Sequence, residues 1–81
     1  MIMEDLCLKI LEQRGIKPTA IRMLVLKAMM ETEQAVSLLD LENKLDTVDK
    51  STIFRTITLF VSHHLAHSVD DGTGSLKYAV C

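Results

Sequence analysis

The stretch "DKSTIFRTITLF", Asp49 to Phe60, places hydroxyls, a guanidinium and an aromatic ring in close succession: Ser51, Thr52, Phe54, Arg55 and Thr56. Hydroxyls donate to and accept from polar groups, and a guanidinium is a permanent cation whose forked donors match oxyanions and base edges. An aromatic ring packs against apolar groups such as a methyl. Read as a helix of about 3.6 residues per turn, the stretch aligns Ile53, Ile57, Phe60 and Val61 on one apolar stripe. Phe54 and Arg55 are then rotated from Ile53 by roughly 100° and 200°, off the face that meets a core.

Other chemistry-bearing residues form no comparable group. His63 and His64 are neighbours and point about 100° apart on a helix; His63 and His67 share a face only if the helix passes Leu65, where the pattern ends. Cys7 and Cys81 lie near opposite ends without a CxxC pair, which reads as two reduced thiols rather than a disulfide framework. A phosphate-cradling glycine loop after a strand, an identifiable carboxylate pair in an apolar setting, and a nucleophile with an evident histidine are all lacking, so no enzyme is expected. Ser37 reads as a helix cap.

The 81 residues suffice for one small domain and leave little room for an enclosed active site. A hydrophobic share of 48% beside 25% charged residues is that of a globular chain. No apolar run approaches a membrane span, and "MIMEDLCLKI" opens with acids where a signal peptide carries bases, so a cytoplasmic protein without membrane contact is expected. The net charge of −2 is segregated. Lys17, Arg22 and Lys27 make residues 15 to 30 basic, six acids against Lys44 make 31 to 49 acidic, and Lys50 with Arg55 make 50 to 69 basic again.

The elements that must position these groups follow from periodicity and caps. A first helix is expected near 3 to 14, with Leu6, Cys7, Ile10 and Leu11 inward, stopped by Gly15 and Pro18. Thr19 caps a second to Met30, with Ile21, Leu24, Val25, Ala28 and Met29 inward. Ser37 with Asp40 resembles a capping box opening a third, near 37 to 45. Asp49 caps the fourth, near 50 to 63. Then the period changes to two: "LAHSV" and "SLKYAV" flank "DDGTG", a hairpin with strands near 65 to 69 and 76 to 80. The expected core is Ile10, Leu24, Val25, Leu41, Leu45, Ile53, Ile57, Phe60 and Tyr78. The fold class is mainly α with a small β hairpin.

The four residues between the third and fourth helices are the length of a helix-turn-helix connection, and a ribbon directly after the second of them is a wing. In such a winged helix-turn-helix the fourth helix enters the major groove. Arg55 would meet a phosphate or a guanine edge, Thr52 and Thr56 phosphates or bases, and Phe54 a thymine methyl. Ser51, Thr52 and the first-turn amides would hold a phosphate. The competing reading packs Phe54 under the wing or between helices and pairs Arg55 with an acid.

The segments "GIKPTAIRMLVLKAM", "AVSLLDLENKL", "DKSTIFRTITLF" and "DDGTGSLKYAV" together resemble the amino-terminal DNA-binding domain of the ferric uptake regulator family over residues 6 to 80. That family carries Gly-Leu-Lys-x-Thr-x-x-Arg, Ser-x-x-Glu-Leu and Thr-Val-Tyr-Arg-Thr-Leu in this order before a wing. The resemblance implies a bacterial transcriptional regulator, a repressor, binding an AT-rich palindrome of double-stranded DNA as a homodimer in its full-length form. By residue, it implies DNA contacts for Lys17 (minor groove), Arg22 (phosphate), Phe54 (thymine) and Arg55. Thr19, Lys50, Ser51, Thr52 and Thr56 complete the expected DNA-binding set.

The family also holds zinc and a regulatory metal (iron, zinc or manganese). The histidine and glutamate that this half would contribute are replaced by Ala35 and Ala79, so no metal or other cofactor is expected in this chain. His64 stands where the family has the glycine that ends the recognition helix. The chain is expected to be a DNA-binding domain, 1 to 81, without the carboxy-terminal dimerisation and metal-binding domain. The alternative is a winged helix used for protein contact, through the acidic segment or the Leu38, Leu39 and Leu59 surface.

Overall fold

The computed structural model describes residues 3–32, 34–70, 72, 74 and 76–80. Among these, the chain forms α1 (Met3–Gln13), α2 (Ala20–Met30), β1 (Val36–Ser37), α3 (Leu38–Lys44), α4 (Lys50–Ser62), β2 (Ala66–Asp70) and β3 (Leu76–Val80). The strands make one antiparallel sheet in the order β1-β3-β2. This is a winged helix.

Two helices end in the same way, for the same reason. In α1, Gly15 takes a φ of 73°, its N–H donates to the Glu12 carbonyl, and the Ile16 N–H reaches back to Leu11. In α4, His64 takes a φ of 61°, with N–H bonds from His64 to Val61 and from Leu65 to Phe60. Each is a left-handed cap that satisfies terminal carbonyls, accompanied by an apolar contact across it. Leu11 and Ile16, like Phe60 and Leu65, are buried.

The starts of α2 and α3 match their caps. Thr19 Oγ1 accepts from the Arg22 N–H at 3.2 Å. The capping box of α3 is reciprocal, the Ser37 N–H donating to Asp40 Oδ2 and the Asp40 N–H to Ser37 Oγ, both at 3.1 Å. These bonds hold the Asp40 carboxyl below the usual carboxylate range, the backbone amide of Ser37 contributing most and its hydroxyl next. Asp49 departs from expectation: it sits at the start of α4, but its side chain makes no cap bond.

The core gathers Cys7, Leu11, Val25, Leu26, Leu41, Ile53, Ile57, Phe60 and Leu65, with Ile10 and Tyr78 packed at its edge. Three expectations are corrected. Leu24 is 39% exposed and Leu26 is buried in its place, because α2 is surrounded by α1, α3, α4 and β3 and its inward stripe is set by the neighbours. Leu6 is exposed, leaving Cys7 and Leu11, four residues apart, to face inward. On α4 the stripe is Ile53, Thr56, Ile57 and Phe60, while Val61 faces out.

The sheet has one strand more than expected. β1 pairs Val36 with Tyr78 and Ser37 with Lys77 on one edge of β3, and β2 pairs Ala66 with Val80 and Asp70 with Leu76 on the other. The turn between β2 and β3 uses Gly72 and Gly74, both at φ 84°, and Asp70 Oδ1 accepts from the Gly72 N–H at 3.0 Å. Asp71, Thr73 and Ser75 of the expected hairpin, and Cys81, expected to be a reduced thiol, lie outside the described residues.

Candidate nucleic-acid interface

Burying Ile53, Thr56, Ile57 and Phe60 determines what α4 shows on its other side. Ser51, Phe54, Arg55 and Thr58 are exposed, with Phe54 at 50%. They lie between roughly 100° and 200° from Ile53 at about 3.6 residues per turn, a single outward row. Phe54 is therefore not a core residue, which removes the competing reading for its ring. Thr58 was not among the expected contacts; it stands three residues after Arg55 and four after Phe54, the spacing of one helix face. Its hydroxyl donates to the Phe54 carbonyl at 2.8 Å.

Thr56 must be taken out of the outward set. It is 6% exposed, and its Oγ1 donates to the Thr52 carbonyl at 2.8 Å. A threonine tolerates an apolar stripe when its hydroxyl bonds the preceding turn.

Beside α4, a recess of about 220 Å³ is lined by Arg22, Thr52, Arg55, Thr56 and Leu59. Two guanidinium groups thus border one concavity between α2 and α4. The Arg22 Nη1 donates to the Lys17 carbonyl at 2.8 Å, so the α1–α2 loop that carries exposed Lys17 is tied to the same place. Thr19 spends an acceptor on its cap, yet a hydroxyl keeps its proton to donate. Lys50 is exposed at the start of α4, and its Nζ lies 4.0 Å from Glu42 Oε2, an exposed pair of small worth.

The remaining candidates are placed elsewhere. His63 ends α4 with Nδ1 3.0 Å from the Arg14 carbonyl, and His67 lies in β2, so the two do not share a helix face. Among the described residues no three His, Cys, Asp or Glu are grouped to hold a metal. Burial pushes the Cys7 thiol up, against a smaller opposing effect of Lys27, keeping it protonated and unreactive. Of the apolar trio considered for protein contact, Leu38 and Leu59 pack on the core and only Leu39 is largely exposed, at 63%. Among the described residues no helix is long and apolar enough to cross a membrane.

No family model and no curated protein matches the sequence. Solved structures do. The Vibrio cholerae ferric uptake regulator, whose structure shows a rearrangement of its DNA-binding domains, superposes with a TM-score of 0.81 at 20% identity, over 91% of this chain and 60% of that one. The ferric uptake regulator of Pseudomonas aeruginosa with manganese gives 0.78 at 22% identity, over 99% of this chain and 60% of that one. PerR of Streptococcus pyogenes, described for peroxide sensing and gene regulation, gives 0.78 at 13% identity, over 99% and 58%. The chain has the fold of these regulators along nearly its whole length and spans about three-fifths of theirs.

Proposed function

We propose that this chain is the double-stranded-DNA-contacting module of a transcriptional regulator of the ferric uptake type, with α4 lying in the major groove. The observation that supports this most is the outward row Ser51, Phe54, Arg55 and Thr58, flanked by the Arg22 recess. A helix of 13 residues is about 20 Å long, and the major groove, about 12 Å wide, admits it.

In this reading Arg55 meets a phosphate or a guanine edge, Phe54 presses on a thymine methyl, and Ser51, Thr52 and the first-turn amides of α4 hold a phosphate. The unused cap position of Asp49 leaves those amides to the ligand. Arg22 reaches the backbone from the first turn of α2 and Lys17 the minor groove from the α1–α2 loop, with Thr19 and Lys50 completing the set. An AT-rich palindrome read by a homodimer of the full-length protein completes the proposal, two modules on one duplex binding with a higher effective concentration than one.

The test is duplex binding across a salt series, using labelled sites selected from a random library. Phosphate neutralisation makes log affinity fall steeply with log salt. Arg55→Ala and Arg22→Ala are each expected to weaken all sequences and to lower that slope by about one contact. A chain whose binding shows no salt dependence, or two variants that bind like the parent, would sink the reading in favour of a protein-contact module.

A further inference from the structure

The recess between α2 and α4 bears on which of two partners Arg55 takes. At about 100° per residue along α4, Arg55 stands about 60° from Thr52, and Phe54 a further 100° round the helix. Thr52, Arg55 and Leu59 line the recess from α4 and Arg22 lines it from α2, whereas Phe54 does not. Arg55 therefore stands on the flank of the outward row, beside α2. A helix seated in a groove meets base edges with its underside and the phosphates of the groove walls with its flanks.

The recess is cationic without a carboxylate of its own. No residue that lines it is acidic, and neither is any residue next to a lining one in the sequence. Among the described residues neither arginine is in an ion pair; those of Lys27 with Glu4 and of Lys50 with Glu42 involve other side chains. Arg22 spends one donor on a neutral acceptor, the Lys17 carbonyl at 2.8 Å, which orients the guanidinium and leaves its charge and its other donors.

The donors select the ligand. Thr56 has given its proton to the Thr52 carbonyl, so the hydroxyl that can still donate here is that of Thr52. A guanine edge offers O6 and N7 in one plane, which one guanidinium fork saturates, and the second arginine would remain uncompensated. A metal cation would be repelled. A phosphate carries its oxygens tetrahedrally and accepts forks from two directions at once, and a recess of about 220 Å³ admits one such group.

We propose that this recess takes one phosphate group, held jointly by Arg22, Arg55 and Thr52, and that on a duplex Arg55 therefore grips the backbone and reads no base. The duplex as source of the phosphate rests on DNA contact by α4; the oxyanion site itself does not.

The experiment has two arms, both on the full chain. In the first, inorganic phosphate is titrated while NMR follows arginine Nε–H and threonine methyl signals, with sodium chloride at equal ionic strength as control. Phosphate should move Arg22, Arg55 and Thr52 together along one saturating curve that chloride does not reproduce, and Arg22→Gln and Arg55→Gln should each weaken it about tenfold, the scale of one charge-assisted hydrogen bond. In the second, each phosphate of a selected duplex is replaced in turn by a neutral methylphosphonate. One position should cost the parent about tenfold, that penalty should largely vanish in both variants, and Arg55→Gln should keep the parent's ranking of single-base variants. Phosphate shifts that do not saturate or that move one arginine without the other overturn the proposal, as do penalties lost at different phosphates in the two variants or an altered base ranking in Arg55→Gln. A chain that binds no duplex sinks the function proposed above, and the first arm then decides whether the recess serves a soluble phosphate. Should Arg22→Gln, which also disturbs the bond to Lys17, fail to fold, Arg55→Gln at its exposed position decides alone.

Discussion

His63 Nδ1 lies 3.0 Å from the carbonyl oxygen of Arg14, joining the residues at the ends of α4 and α1, 49 positions apart in the chain. A carbonyl only accepts, so the ring donates from Nδ1. The bond fixes where the far end of α4 sits relative to α1, and the residues that follow each partner, Gly15 and His64, both take left-handed backbone.

This pair of caps yields a stability test. His63→Ala removes the donor and should cost about 1 kcal/mol. His64→Gly relieves a left-handed conformation that a Cβ disfavours, offset in part by the entropy of a glycine in the unfolded chain, and should stabilise by up to about 1 kcal/mol. Calorimetry should therefore show the melting temperature falling in the first and rising by a few degrees in the second. A destabilised His64→Gly would mean that the His64 side chain contributes more than its backbone costs.

Phe54→Ala separates exposure from reading. Because the ring is half exposed on the outward row, truncation should change stability by no more than about 0.5 kcal/mol, whereas loss of a core phenylalanine costs about 3 to 5 kcal/mol. In duplex binding it should lower discrimination at a thymine position by roughly 1 kcal/mol. Competition binding with single-base variants of a selected site measures this, and unchanged discrimination would remove Phe54 from the base-reading set.

The capping box of α3 gives a pH dependence. Ser37→Ala should cost about 1 kcal/mol. The Asp40 carboxyl is held low in the folded chain, so its stabilisation is fully present above the unfolded value near pH 3.9 and is lost as pH falls through the lower folded value. Urea melts of the parent and Asp40→Asn across the acid range should converge as the pH drops. Parallel curves would show that the carboxylate form of Asp40 adds nothing.

The side chains of Ala35 and Ala79 offer no donor to a metal. Purified chain titrated with zinc, ferrous iron or manganese is expected to show no tight stoichiometric site by calorimetry and elemental analysis. One metal retained per chain after dialysis would disprove this.

Much of the architecture was legible in local chemistry. Gly15, Thr19 and the Ser37–Asp40 pair mark helix ends because they satisfy orphan backbone groups with nearby atoms. The shift from a period near four to a period of two marks the hairpin, and the glycines of its turn supply the positive φ it needs. For α4, the stripe of Ile53, Ile57 and Phe60 already implied that Phe54 and Arg55 face outward. What tertiary structure decided was every position whose environment comes from distant chain. Thr56 joins the buried stripe because α2, α3 and β2 pack against α4, its hydroxyl being satisfied by the Thr52 carbonyl one turn back; Leu26 replaces Leu24 because α2 has neighbours on several sides, and Val36–Ser37 becomes a strand only where β3 offers an edge. The convergence of Arg22 and Arg55 on one recess belongs to this second class: periodicity orients a side chain about its own helix, and only packing determines what lies beside it.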